Sequence, residues 1–192
     1  MPYTRTIAAL VCTLFFASAA LAADPVAPAS TSWRGAATFK GKLVGGGGSP
    51  GPVDLAVDFG PNGGFGLGAG EFRITADDGM ETFVVEGTFA VDAKGQPVLT
   101  PDTVALEDQL EVLLLHICQD ILMLGSVCDQ VALFEVEVDP AKIQLKAKTN
   151  SGNGDGATLA LAAKLPFVLM NGVDAVRVSF SMKSSPPAEL VK

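Results

Sequence analysis

The chain has 192 residues, 13 Lys+Arg against 21 Asp+Glu, a net charge of −8 and a single histidine. That acidity favours solubility and speaks against nucleic acid or anionic membrane surfaces as partners. With one histidine, the inventory for general acid–base catalysis is thin, and no catalytic residue is assigned.

Residues 1–22 read as a secretory signal. Arg5 supplies the positive n-region, Ile7 to Ala17 the apolar core, and Ala20-Leu21-Ala22 an A-x-A cleavage site. The apolar run is short for a spanning helix and ends in small residues. Cys12 lies inside that run without the small-residue context of a lipoprotein site. The expected location is secreted or periplasmic, with no stable membrane span after cleavage.

Residues 23–32 form a Pro/Ala/Ser leader expected to be disordered. A single β-rich domain is expected over 33–183. Trp33 to Val44 reads as a strand, with Trp33, Ala37, Phe39 and Leu43 inward. Gly45 to Pro52 is a glycine-rich loop. Val53 to Phe59 alternates cleanly, Pro61 to Gly64 turns, and Phe65 to Ala76 resumes as a strand weakened by glycines. Asp78-Gly79 marks a hairpin turn, and Glu81 to Val91 returns with Phe83, Val85, Phe89 and Val91 on one face.

The stretch from Thr100 to Gly125 predicts the one long helix, about 101–125. Thr100 is a candidate cap, Pro101 suits the first helical position, and Gly125 is a candidate stop. Leu106, Leu110, Leu113, Leu114, Ile117, Ile121 and Leu124 recur at helical spacing and form one apolar face. Val112, Leu115, Leu122 and Met123 make a second side apolar as well, and such a helix is buried or docks against something.

After the helix, Val131 to Val138 and Lys142 to Thr149 predict a hairpin about Asp139-Pro140-Ala141-Lys142, pairing Val138 with Ile143 and Val136 with Leu145. Ala157 to Met170 and Val173 to Lys183 predict a second hairpin about Asn171-Gly172, pairing Phe167 with Val176 and Leu165 with Val178. Pro166 interrupts that strand and calls for an edge, a bulge or a helical turn. Residues 184–192 read as a tail. These elements predict a mainly β fold: a single antiparallel, strongly curved sheet or open barrel of about 8–9 strands, with the helix packed on its apolar face. A two-sheet sandwich with the helix at one end is the alternative.

Cys118 and Cys128 are the two cysteines outside the signal, and an exported chain permits a disulfide between them. His116 with Cys118, Cys128 and nearby aspartates lacks zinc-ligand spacing, so no metal is assigned. His116 and Asp120, one helical turn apart, are better read as a simple surface pair. Glu107, Asp108 and Glu111 read as a solvated acidic helix face rather than a paired-carboxylate site. Gly64-x-Gly66-x-x-Ala69 has no following helix to make it a dinucleotide loop. The loop from Asn150 to Gly156 has too few carboxylates for calcium. No cofactor is implied.

The functional expectation is a non-catalytic binding protein holding an apolar, lipid-like small molecule between sheet and helix. Leu115, Leu122 and Met123 are the candidate ligand-binding residues. The alternative is an envelope structural or protein-interaction module with no small-molecule ligand.

Overall fold

The structure is a computed structural model describing residues 29–43, 46–48, 52–61, 66–121, 128–129, 133–151, 156–172 and 174–191. The signal at 1–22, most of the leader, the helix stop at Gly125, and both Leu122 and Met123 lie outside the described residues.

The alternating patterns become strands with one buried face. β1 (Ser32–Leu43) buries Trp33, Ala37 and Phe39, and β3 (Pro52–Phe59) buries Val53, Leu55, Val57 and Phe59. β2 (Gly46–Gly48) adds a short pairing to the end of β1. β3, β4 (Glu71–Asp77), β5 (Thr82–Val91) and β6 (Pro97–Pro101) then form an antiparallel meander. After the helix come β7 (Glu135–Val138), β8 (Gln144–Asn150), β9 (Thr158–Met170), β10 (Ala175–Ser184) and β11 (Ala188–Leu190).

Two long strands hold the sheet together. β1 pairs β3 on one side and β11 then β10 on the other. β9 pairs β10 and β11 on one side and β8 and β7 on the other. The eleven strands therefore form one antiparallel, strongly curved sheet. Its concave face holds the core, in which Phe39 packs on Phe83 and Phe180 with ring centroids 6.0 and 5.5 Å apart, and Phe167 lies 5.2 Å from Phe180.

The two ends of the sheet meet without a backbone ladder among the described residues. At one end of the seam Gln96, just before β6, clips β8: its Oε1 accepts from Thr149 N at 2.8 Å and its Nε2 donates to Thr149 O at 3.2 Å. At the other end α1 (Thr103–His116) lies between β5 and β7. The architecture is an open barrel whose gap is bridged by a glutamine and a helix. That is one of the ways a sheet protects its edges.

Several expectations need correction. The helix begins at Thr103 rather than Pro101. Asp102, not Thr100, is the cap, its Oδ1 accepting from Val104 N at 3.0 Å and Ala105 N at 3.3 Å. Thr100 and Pro101 remain in β6, paired with Thr88 and Gly87. The helix then widens into a π-helical turn over Ile117–Ile121. Phe65, where a strand was expected to start, lies outside the described residues, and the strand that follows spans Glu71–Asp77.

The hairpin between β7 and β8 does not form. Both strands pair β9 in tandem, Val138 with Phe167 and Gln144 with Lys164. Pro140–Lys142 is a single 3-10 turn that carries the chain onward, capped by Asp139 Oδ1 on Ala141 N at 3.1 Å. The break lies opposite Leu165 and Pro166, so the outward bulge of the partner coincides with the residue lacking an N–H.

The β9–β10 hairpin forms two residues out of the expected register: Phe167 pairs Val178 and Leu165 pairs Phe180. A four-residue loop replaces the Asn-Gly turn. Asn171 N donates to Asp174 O, and Asn171 Oδ1 accepts from Asp174 N. An even shift leaves every inward residue inward. Residues 184–192 are not simply a tail, since β11 fills the space between β1 and β9 where β10 has turned away.

Candidate functional site

The helix–sheet seam holds one buried polar group, His116, and two side-chain acceptors that meet strand edges. α1 presents Leu106, Leu110, Leu113 and Leu114 to the core and Ile117 of the π-helical turn continues the stripe, all buried. Its flanks carry acceptors aimed at the two exposed strand edges. Gln109 Oε1 accepts from Val84 N on β5 at 2.9 Å, and Glu107 Oε1 accepts from Val138 N on β7 at 2.9 Å. Glu107 thus does not belong to a wholly solvated acidic face. Each acceptor occupies the place that a neighbouring strand's carbonyl would take.

His116, at the end of α1, is only 6% exposed and is held on both ring nitrogens. Nε2 lies 2.8 Å from Asp78 Oδ2 and Nδ1 lies 2.9 Å from Asp120 Oδ2. Asp78 sits in the β4–β5 turn, where its Oδ1 accepts from Met80 N and Glu81 N at 2.9 Å. The expected pair of His116 and Asp120 forms, with Asp120 46% exposed and the imidazole itself buried, and Asp78 extends it to a three-residue clamp that ties the helix to a turn 38 residues earlier. Burial opposes the imidazolium, but the hydrogen bonds to Asp78 and Asp120, with their charges, outweigh it and raise the pKa above 6.5. Burial likewise opposes the charge on Asp78, but hydrogen bonds from Glu81 N, His116 and Met80 N bring its pKa below 3.8.

Beside the clamp lies a cavity of about 20 Å³, lined by Phe39, Val53, Phe83, Gln109, Leu113 and His116 among others. That is room for about one water molecule. Leu115 is half-buried, and Val112, its neighbour on the outer side, is 42% exposed. Leu122 and Met123 cannot be placed beside them within the described residues. Cys118 and Cys128 are joined by a disulfide with Cα atoms 5.6 Å apart, and both are buried. No described helix is long and apolar enough to cross a membrane. Among the described residues no cluster of three or more His, Cys, Asp or Glu is arranged to hold a metal ion.

The chemistry of the clamp is that of a tether. Both imidazole nitrogens are committed to carboxylates, so neither is presented to a substrate. Asp78 was the partner missed from sequence. Its only signal is an aspartate opening a hairpin turn, which its role in the turn already explains. No protein-family model, curated protein or solved structure matches the chain.

Proposed function

We propose that this is an exported, non-catalytic structural or interaction module that meets its partner on its outer surface. The observation that carries the reading is the packed seam: among the described residues, the space beside α1 holds about 20 Å³. Ligand pockets for small molecules usually run to about 300–1,000 Å³. The disulfide supports an oxidising compartment, and the signal-like residues 1–22 support export. The sequestered histidine supports a non-catalytic role.

The apolar-ligand reading keeps one observation in its favour. Phe39, Phe83, Val53 and Leu113 line the seam while Val112 and Leu115 flank it incompletely buried, so outward movement of the helix would open an apolar slot. Native mass spectrometry of protein isolated from its own compartment, with titration of a hydrophobic fluorescent probe, separates the two. The interaction reading expects the bare polypeptide mass and no saturable probe site. A stoichiometric lipid-like adduct, or a saturable site displaced by fatty acid and weakened by Leu122→Asp in a folded protein, overturns it.

A further inference from the structure

The charges of this acidic chain are sorted between two halves of the sheet's outer face. On the β3–β5 half, Asp54, Asp77 and Glu71 are exposed, Arg73 pairs with Glu86, and Asp58 pairs with Arg34 at the start of β1. On the other half, the outward residues of β1, β10, β9 and β8 include Lys40, Lys183, Lys164, Lys146 and Lys148, all exposed. Register places them in a stagger. Thr38, Lys183, Ala162 and Lys146 form one cross-strand row, and Lys40, Ser181, Lys164 and Gln144 form the next. Each lysine is separated from the next in its row by an alanine or a serine. No carboxylate lies in either row, and among the described residues none of these five lysines is in an ion pair.

Like charges gathered in neighbouring rows repel, and the nearest carboxylates of this half, exposed Glu189 on β11 and Glu137 on β7, lie outside the two rows. Three of the five lysines also frame an open depression. Lys146 and Lys148 on β8 face Lys183 on β10 across a floor of Ala160 and Ala162, enclosing about 470 Å³. With strands about 4.8 Å apart and about 3.4 Å per residue, the two sides stand about 10 Å apart, and the charges along β8 repeat every 7 Å or so.

We propose that this face binds a linear anionic polysaccharide, laid along the trough with its charged groups against the lysines. Lysine suits this role better than arginine, since a mobile point charge follows a repeating anionic chain without demanding bidentate geometry. Nucleic acid fits less well, because the outward positions of the two rows carry no aromatic side chain on which a base could stack. A bilayer also fits less well. Of the described exposed large apolar residues, Met80, Val91, Val98, Val104, Val112, Leu133 and Val191, none belongs to the two lysine rows. The overall negative charge does not forbid the contact, because at physiological salt charges interact over about 8 Å and the acidic half is screened from the trough. The inference names a partner class for the outer surface, and so rests on the interaction reading above.

The test is fluorescence anisotropy of a labelled heparin oligosaccharide with the full mature protein, beginning near 100 mM salt, where charges interact over about 10 Å, and continuing upward. The expected result is saturable binding that weakens steeply with salt. It should fall at least tenfold in Lys146→Glu/Lys148→Glu and in Lys183→Glu, and persist in Thr88→Glu, which adds charge to the acidic half. Circular dichroism and thermal melts confirm that the variants fold. No heparin binding at the lowest salt, or equal binding by wild type and the lysine variants, overturns the inference while leaving the interaction reading intact. So does tighter binding of polyuridylate or phosphatidylglycerol vesicles through the same lysines. A lipid adduct in native mass spectra bears on the interaction reading alone, so the two can fail separately.

Discussion

Glu107 and Val138 meet across the seam of the barrel, the carboxylate Oε1 accepting the strand's backbone N–H at 2.9 Å. The same helix offers Gln109 to Val84 on the opposite strand edge. A helix thus closes a sheet by giving side-chain acceptors to both of its edges.

Removing either acceptor leaves a partly buried N–H with a poorer partner. Glu107→Ala and Gln109→Ala should each cost about 1–3 kcal/mol in urea unfolding, while exposed Asp108→Ala should stay within about 0.5 kcal/mol. Glu107→Gln keeps an acceptor and should behave nearly as wild type. Indistinguishable midpoints for Glu107→Ala and Asp108→Ala would show that the edge contact contributes nothing.

Which residues face inward was readable from alternation, because a strand's period of two is written directly in the sequence. Register was not readable. Phe167 finds a suitable apolar partner in Val178 as readily as in Val176, so the pattern is degenerate to shifts of two and only the loop geometry decides. β7 and β8 were misjudged for a related reason. Their faces suit pairing with each other and with β9 equally, and a 3-10 turn at Pro140 selects the second. The helix stripe was legible at Leu106, Leu110, Leu113, Leu114 and Ile117. The His116–Asp120 half of the clamp was legible as a pair one helical turn apart, but Asp78 was not, because it and His116 are brought together only by the tertiary fold. The lysine face was invisible for the same reason, since net charge averages over a surface that the fold has sorted.

The clamp predicts a pH dependence with a definite sign. His116 has its folded-state pKa raised, so its stabilisation is fully present below about 6.5, the unfolded value, and is lost as pH rises through the folded-state value. Asp78 has its pKa lowered, so its stabilisation is present above about 3.8 and is lost as pH falls through the folded-state value. Thermal melts should therefore show the clamp's contribution between those limits, with stability declining from pH 6 toward alkaline pH. His116→Gln should flatten the alkaline decline. Because the chain has one histidine, its imidazole NMR signals report the titration directly, and Asp78→Asn should lower the midpoint. An imidazole titrating at or below 6.5 in wild type would refute the clamp.

The disulfide closes a short loop, with Cys118 and Cys128 10 residues apart in sequence. Cys118→Ser should destabilise the domain by about 2–5 kcal/mol, and non-reducing peptide mapping should find the two cysteines in one linked species. Two free thiols in protein taken from its native compartment would contradict the pairing.

The two sides of the helix should answer truncation differently. Leu110 and Ile117 are fully enclosed, so Leu110→Ala or Ile117→Ala should cost about 2–5 kcal/mol. Val112 is 42% exposed and Leu115 half-buried, so alanine at either should cost less. Equal large losses on both sides would mean that the outer side is covered in solution.

Gly41 is a point of close approach in the core and gives a direct test of its packing. It lies on the inward face of β1, paired with Phe180 on β10. A Cβ there would stand 2.6 Å from Phe180 Cε1 and 3.6 Å from Ile117 Cδ1. The Phe180 ring is fully buried and packs on both Phe39 and Phe167, so it has little freedom to withdraw. Gly41→Ala should therefore destabilise by about 1–3 kcal/mol through overpacking, despite alanine's usual advantage over glycine within a strand. Phe180→Leu alone should also destabilise, through lost apolar contact. If the ring is the cause of the clash, Gly41→Ala/Phe180→Leu will lose less than the sum of the two single changes, because the smaller side chain leaves room for the methyl. Strict additivity in urea unfolding would place the cost of Gly41→Ala in the backbone instead, and would reject a core closed by Phe180 over Gly41.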